Sequence, residues 1–351
     1  MGFFVGNSNT DRLNRRARCA GILLLLLSFG TLEAPGHEVE VSRFALGTTI
    51  TLILDTDEIG QQGVIIDAVF NETERLERLL SGYKYDSQVS YLNRNGSISG
   101  EIEELTEVIN QSRRFSLLSN GAFDVTVKPV LDLFYNCHMY ERRRPTGDEL
   151  ENALKLVGYQ GIRIRDQEIV LKKPGMGVTL DGIAKGYIID RAIEILVQNG
   201  ISRAFFNAGG DIRVIGEHAV NVPWKVALQD PQDDSNCIAI VHLNNKAIAT
   251  SGDYTQYFFS DRNAHHIVDP RTGESAVGLM SATVVTDRAM DADALATSVM
   301  VLGQAQGVEL IERLPHTEAL IITKNREILT SSGFDKVAYI PPKLGVVGQL
   351  K

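Results

Sequence analysis

Hydrophobic residues recur at intervals of three and four along several segments, which is the spacing that buries one face of a helix. In the first of these segments Val69, Leu76 and Leu80 share a face, while glutamates and arginines occupy the other positions. Asn120-Gly121 supplies a C-terminal stop for the second segment, and Gly200 supplies one for the fourth. Helices are therefore predicted over about residues 60–80, 101–119, 148–157 and 183–199, and around "MDADALATSV" at residues 290–299.

Other segments alternate β-branched or aromatic residues with polar ones, as strands with one buried face do. Residues 39–54 predict two strands, or one bent strand, around Gly47, and "IRIRDQEIVLKK" and "EALIITKNREILTSS" predict hairpins. Further strand-like runs are "RAFFNAGGDIRVIG", "WKVALQD", "IAIVHL", "KAIATSG" and "HHIVDP". Because helices and strands mix without a regular βαβ rhythm, we expect an α+β fold with mainly antiparallel sheets, built as one compact unit over residues 37–351.

Residues 1–36 differ from the rest and are excluded from the predicted fold. Arginines precede the apolar run "CAGILLLLLSFG", as in the charged and apolar regions of a secretory signal. The run is short for a membrane span, which needs ~20 apolar residues. We expect a signal peptide, with a short N-terminal anchor in the membrane as the alternative.

Composition and charge exclude two classes of protein. The chain has 351 residues, 44% of them hydrophobic, which is ample for a core and argues against intrinsic disorder. Its net charge of −9 argues against a general nucleic-acid binder. Cys137 and Cys237 are able to form one disulfide in an oxidising compartment or to remain separate, and their spacing does not decide between these alternatives.

Two segments carry oxygen donors and a cation in patterns suited to phosphate chemistry. In "DADALATSV", Asp293 and Thr297 are four residues apart and share a helical face, where they offer hard oxygen ligands to Mg²⁺ or Ca²⁺. The alternative is structural: Asp291 caps the helix and Thr297 bonds back to the carbonyl of residue 293. In "TLDGIAKG", Lys185 lies in the first turn of a predicted helix, whose free N–H groups favour a phosphate; the Walker A spacing is absent.

Three further segments have a structural and a functional interpretation each. In "NAGGDIRVIG", Gly209 and Gly210 lie within a strand pattern and indicate either a bulge or the close approach of a ligand. In "HHIVDPRTG", at most one of His265 and His266 faces a given site, because neighbours on a strand point to opposite faces. The aromatic residues of "GAFDVTVKP" and "SGYKYDSQVSYLN" either clamp a planar ring or belong to the core.

Taken together and in this order, these segments resemble the FAD:protein FMN transferase family, long labelled thiamine-biosynthesis lipoproteins. The matching motifs span about residues 45–303: "LGTTI", "SGYKYDSQVSYLN", "GAFDVTVKPV", "TLDGIAKGYIIDRA", "NAGGDIRVIG", "IATSGDY", "HHIVDPRTG" and "ADALATSVMVLG". The resemblance implies a Mg²⁺-dependent enzyme, periplasmic or on the outer face of the cytoplasmic membrane. It would transfer FMN from FAD to a threonine of an acceptor flavoprotein and release AMP. The acceptor would carry an Asp/Ser-Gly-Ala/Ser-Ser/Thr motif.

The resemblance also assigns residues to roles. Asp293 and Thr297 would be metal ligands, helped by the backbone carbonyls of Gly182 and Ala296. His266 and Lys185 would act with Asp293 in catalysis. Positions that contact FAD in the family correspond here to Leu46, Tyr83, Ala122, Phe123, Asp124, Thr179, Lys185 and Ile267.

Two departures from the family pattern stand out: Leu46 replaces a usual methionine, and Asp181 adds a carboxylate before Gly182. The same residues also suit an FAD pyrophosphatase that passes FMN to water, or a non-catalytic FAD-binding protein. A self-flavinylating carrier is disfavoured, because "DGIA" and "SGDY" do not match the acceptor motif. We expect no nucleic-acid partner, and the N-terminus is the segment that would associate with a membrane.

Overall fold

A large, almost wholly antiparallel sheet forms the centre of the protein. The computed structural model describes residues 37–56, 60–254, 257–259, 264–341 and 347–349. Nine strands form this sheet, in the order β1-β2-β6-β7-β10-β11-β12-β13-β15. Their bounds are β1 His37–Ala45, β2 Thr48–Thr56, β6 Arg203–Ala208, β7 Asp211–Ile215, β10 Ala247–Gly252, β11 Leu279–Thr286, β12 Glu318–Thr323, β13 Ile328–Thr330 and β15 Val347–Gln349.

Two three-stranded sheets and seven α-helices complete the part of the chain that the structure describes. One sheet has the order β14-β9-β8 and the other the order β3-β5-β4. The strands are β3 Ser97–Ser99, β4 Ile162–Arg165, β5 Glu168–Leu171, β8 Trp224–Asp230, β9 Asp233–Leu243 and β14 Ala338–Tyr339. The helices are α1 Gln62–Leu80, α2 Gln88–Asn95, α3 Glu103–Leu118, α4 Lys128–Asn136, α5 Gly147–Leu154, α6 Ala184–Gln198 and α7 Ala289–Glu312.

The alternation of side chains along each strand gives the large sheet two buried faces. From β2, Leu52 and Leu54 pack with apolar residues of α1 and α6, whereas Ile53 packs on the opposite face with Trp224 and Val226 of β8. Every residue of β11 is buried for the same reason. The result is three layers, with helices on one face of the sheet and β8–β9 on the other.

Helix α7 lies against the centre of the sheet, where it packs on β10, β11 and α6. In the described part of the chain it is the one helix long and apolar enough to cross a membrane, and 56% of its most apolar window is buried inside the protein. Asp190 of α6 accepts hydrogen bonds from the N–H groups of Ala289 (2.8 Å) and Met290 (3.1 Å). The N-terminal cap of α7 is therefore Asp190, and the alternative in which Asp291 caps this helix is wrong.

Most predicted elements are confirmed, and three details of the sequence interpretation change. Gly209 and Gly210 form the two-residue turn between the paired residues Ala208 and Asp211, rather than a bulge within a strand. "HHIVDP" is not a strand; its described residues make only isolated bridges, such as Val268 with Ser275. Helix α7 continues beyond the predicted segment 290–299 to Glu312 and is interrupted at Gly303, where the backbone has φ +75°. The α+β class with mainly antiparallel pairing is confirmed.

Two other questions left by the sequence concern the cysteines and the N-terminus. Cys137 and Cys237 are both free thiols, and Cys137 is buried. The disulfide alternative is therefore wrong for this structure. Residues 1–36, with the signal or anchor prediction, lie outside the described residues.

Candidate active site

The candidate site lies where the first turn of α6 meets the first turns of α7. Lys185 is the second residue of α6, and Asp293 and Thr297 lie one turn apart on α7. Gly186 allows the two helices to touch, since a Cβ there would lie 2.3 Å from the carbonyl oxygen of Ala289. The Gly186 N–H donates a hydrogen bond of 3.1 Å to Asp293 Oδ2. Three of the residues assigned by the resemblance are thus brought together by one helix contact.

A second buried carboxylate, which sequence reasoning did not assign, completes this cluster. Asp211 begins β7, directly after the turn at Gly209 and Gly210, and its Oδ2 lies 3.0 Å from Lys185 Nζ. Asn207 Oδ1 accepts a hydrogen bond of 2.9 Å from the Gly210 N–H and so holds this turn. The sequence contains a signal for Asp211, because it is the one charged side chain in "NAGGD". The strand-like pattern of this segment, however, indicated only the two glycines.

The charges of this cluster are unbalanced. Asp211 and Asp293 are 3% and 6% exposed, whereas the Lys185 side chain keeps 34% of its surface. Burial and the neighbouring Asp211 carboxylate raise the pKa of Asp293 to about 8, against the opposing effect of Lys185. The pKa of Lys185 is raised overall, because the carboxylates of Asp211 and Asp293 outweigh the opposing effect of burial. The ammonium of Lys185 therefore stays charged. A carboxyl with a pKa raised in this way binds a proton readily, and a metal cation at the same place would supply that positive charge instead.

The oxygen donors near Asp293 are those that Mg²⁺ prefers. Thr297 Oγ1 lies on the same face of α7, and a Cβ at Gly182 would be 3.0 Å from it. The backbone of Gly182 therefore approaches the Thr297 hydroxyl closely. No group of three or more His, Cys, Asp or Glu residues suited to a metal occurs among residues 37–341 as far as the structure describes them. One or two carboxylates with hydroxyl and carbonyl oxygens fit Mg²⁺, which completes its shell with water and substrate phosphates.

Tyr83 and Asp181 form a bridge next to this cluster. Tyr83 lies in the segment between α1 and α2, and its hydroxyl donates a hydrogen bond of 2.8 Å to Asp181 Oδ2. The Tyr83 side chain is nevertheless 82% exposed. Asp181 adds a third negative charge that raises the pKa of Asp293. The carboxylate that departs from the family pattern therefore holds an aromatic ring beside the site.

The two adjacent histidines have different surroundings. His265 is 2% exposed; its Nε2 lies 2.7 Å from the Ala276 carbonyl oxygen and its Nδ1 accepts a bond from the Ile267 N–H. Burial lowers the pKa of His265, which favours the neutral ring. His266 is only partly buried. This difference supports the assignment of His266, rather than His265, to the site, and its role stays a prediction.

Comparisons with known proteins agree with one another. The model of the ApbE family matches residues 46–321. The chain belongs to the ApbE family. The FAD:protein FMN transferase of Vibrio cholerae is 32% identical over 332 residues, which are 90% of this chain and 95% of the relative. The Escherichia coli K12 enzyme of the same name is 32% identical over 247 residues, 68% of this chain and 70% of the relative.

Solved ApbE structures also share the fold. The ApbE protein of Thermotoga maritima superposes with a TM-score of 0.78 at 33% identity, covering 86% of this chain and 99% of that one. The flavin transferase ApbE of Vibrio cholerae gives 0.76 at 29% identity, covering 86% and 100%. The resemblance drawn from the motifs is confirmed, and so is the expectation of an enzyme of the flavin-transferase class.

Of the other residues that the ApbE resemblance assigns to FAD, Phe123 lies beside Gly182, and the contacts of all of them with FAD stay predictions. Ala122, Phe123, Asp124 and Ile267 are all buried. A Cβ at Gly182 would lie 3.3 Å from Phe123 Cε2, so this ring packs behind the Asp181-Gly182 segment. Both Asp124 carboxylate oxygens accept hydrogen bonds, from Thr126 and from the Tyr159 N–H, which gives its side chain a structural role.

Three remaining assignments are placed by the backbone. Leu46 occupies the turn between β1 and β2 with φ +54°, and its partly buried side chain packs on the core. The Thr179 N–H donates to the Val125 carbonyl oxygen at 2.8 Å, which ties the "TLDG" segment to the segment after Phe123. Ala296 is buried in α7 between Asp293 and Thr297. Its carbonyl as a metal ligand stays a prediction.

Proposed function

We propose that this protein transfers FMN from FAD to a threonine of an acceptor flavoprotein in a Mg²⁺-dependent reaction that releases AMP. The observation that carries the proposal is the cluster of Lys185, Asp293 and Thr297 at the contact between α6 and α7. An ammonium and several oxygen atoms lie close together there, which supports a site for phosphate and a metal. Relatives with the name FAD:protein FMN transferase, which cover most of the chain, support the same activity.

The chemistry asks the protein mainly for positioning and charge neutralisation. The threonine oxygen of the acceptor forms a bond to the FMN phosphorus as the bond from that phosphorus to the AMP oxygen breaks. Lys185 would hold a pyrophosphate oxygen with its charged ammonium, and Asp211 keeps that ammonium in place at 3.0 Å. Mg²⁺ held by Asp293, Thr297 and the Gly182 carbonyl would neutralise charge on the pyrophosphate.

Aromatic and histidine side chains would orient the two reactants. Tyr83, fixed by Asp181, would lie against a ring of FAD, because stacked aromatic pairs are favourable. His266 would lie near the phosphoryl group that is transferred. The acceptor threonine must lose its proton as it attacks, and the base that removes this proton is not assigned.

The location of the reaction follows from the N-terminal segment. We propose that residues 1–36 direct export, as a signal peptide or a short anchor, and that the enzyme works in the periplasm or on the outer face of the cytoplasmic membrane. A fusion of these residues to a reporter that is active only outside the cytoplasm tests this directly. An inactive reporter would contradict export.

The decisive experiment mixes the chain with FAD, Mg²⁺ and an acceptor that carries the Asp/Ser-Gly-Ala/Ser-Ser/Thr motif. Flavin fluorescence of the acceptor on a denaturing gel, together with AMP, is the expected result, and EDTA should abolish both. Asp293→Ala should lose the fluorescent band. Asp291→Ala is the matched control, because Asp291 lies two residues earlier on α7 and contacts Arg114 (3.6 Å) instead of Lys185.

The same assay separates the alternatives. AMP with free FMN and no labelled acceptor would contradict the transferase and indicate a pyrophosphatase. Bound FAD without either product would indicate a flavin-binding protein. Equal turnover of Asp293→Ala and Asp291→Ala would contradict the metal assignment.

A further inference from the structure

A hydroxyl pair joins the large sheet to the helix that carries the candidate metal ligands. Ser251 lies on β10, and its Oγ is 3.1 Å from Thr297 Oγ1 on α7. Both residues are partly buried. Neighbouring strand residues point to opposite faces, and the adjacent Thr250 accordingly bonds to Thr283 of β11 at 2.8 Å. Ser251 is therefore the residue of this pair that faces the site.

The neighbouring serine on α7 shows what a hydroxyl in this helix does without such a partner. Ser298 Oγ donates to the carbonyl oxygen of Ala294, one turn back, at 2.7 Å. This bond within the helix is the usual fate of serine and threonine hydroxyls at interior positions. Thr297 instead bonds across to the sheet. Ser251 thus keeps the Thr297 hydroxyl on the side of α7 that faces β10, next to Gly182.

A hydroxyl that gives a lone pair to a cation must direct its single proton elsewhere. Ser251 Oγ is the acceptor that the geometry supplies for this proton. We propose that Ser251 is a positioning residue for the metal site: it accepts a hydrogen bond from the Thr297 hydroxyl and thereby turns a Thr297 lone pair towards the cation. The inference rests on the proposed function, because it takes Thr297 as a ligand. Such outer partners of metal ligands change metal affinity by about 10- to 100-fold when removed.

The test measures metal binding directly, without the transfer reaction. Mn²⁺ replaces Mg²⁺, and electron paramagnetic resonance of free Mn²⁺ gives the affinity of the full chain with ADP present as a source of pyrophosphate. Ser251→Ala should weaken Mn²⁺ binding about 10- to 100-fold. Thr283→Ala, which breaks the comparable hydroxyl pair on the other face, should bind Mn²⁺ as the unsubstituted chain does.

A double-mutant cycle shows whether Ser251 acts through Thr297. In a Thr297→Val background, Ser251→Ala should have no further effect on Mn²⁺ affinity. Ser251→Thr keeps a hydroxyl and should retain the affinity, so an equal loss in Ser251→Ala and Ser251→Thr would show that packing matters and would overturn the inference. Unchanged affinity in Ser251→Ala would overturn it as well.

Failure of the inference is distinguishable from failure of the proposed function. Mn²⁺ binding that depends on Ser251, without any labelled acceptor in the transfer assay, would contradict the transferase but support the positioning role. A labelled acceptor with wild-type Mn²⁺ affinity in Ser251→Ala would support the transferase and overturn the positioning role. No Mn²⁺ binding by the unsubstituted chain would overturn the inference together with the metal assignment.

Discussion

The substitution Gly186→Ala should separate the two helices that form the site. The added Cβ would lie 2.3 Å from the Ala289 carbonyl oxygen and 2.6 Å from Met290 Cα, both of them backbone atoms. Ordinary van der Waals contact begins at 3.4 Å, about 1 Å farther than the first of these distances. Helix α7 cannot move away freely, because Asp190 of α6 holds its first turn by hydrogen bonds of 2.8 and 3.1 Å.

The expected cost is the sum of two effects. Overpacking of a close contact typically costs about 1–3 kcal/mol. The Gly186 N–H would also move from Asp293 Oδ2, and loss of such a bond costs about 1 kcal/mol more. Because the entropy of unfolding is about 2.1 cal/mol/K per residue, a destabilisation of about 2–4 kcal/mol lowers the melting temperature of a chain of this size by roughly 3–6 °C.

Thermal unfolding followed by circular dichroism measures this change, with Mn²⁺ affinity measured on the same samples. Gly63→Ala is the matched control: it lies in the first turn of α1, and a Cβ there meets nothing within 4 Å. It should leave stability unchanged or raise it by up to about 1 kcal/mol. If Gly186→Ala melts within 1 °C of the unsubstituted chain, roughly the error of the assay, the close helix contact does not constrain the site as argued.

Three further predictions test the surroundings of the site. Asp190→Asn should destabilise the fold by about 3 kcal/mol in urea unfolding, because two arginines lose their buried partner; an unchanged midpoint would contradict this. Tyr83→Phe and Asp181→Ala should each weaken FAD binding about three- to tenfold, measured by flavin fluorescence, and the double substitution no further; additive losses would exclude a shared bond. The pKa of His265 is lowered by burial, so its contribution to stability is complete above about pH 6.5 and is lost as pH falls below it. His265→Gln should flatten urea stability between pH 7 and pH 5, and an unaltered slope would assign the pH dependence to other groups.

The sequence by itself determined most elements of the fold and indicated the family, although it did not predict the short helices α2 and α4. Burial of one face imposes a period of 3.6 on helices and 2 on strands, so α1, α6 and the hairpin of β1 and β2 were predicted within a few residues of their bounds. The motifs likewise predicted a site at Lys185, Asp293 and Thr297, and the structure brings these three residues together. Two of these, Asp293 and Thr297, are one helical turn apart, and such local spacing is visible in a sequence.

Only the tertiary structure decided which residues surround those three. Asp190 caps a helix that begins 99 residues later, and Gly186 meets Asp293 across 107 residues. Asp211 and Ser251 reach the site from β7 and β10, on strands whose own pattern reports only which face is buried. Periodicity records the burial of a segment but not the partner that buries it, and packing of distant segments sets those contacts. The charge balance at Asp293 therefore emerges only when the chain has folded.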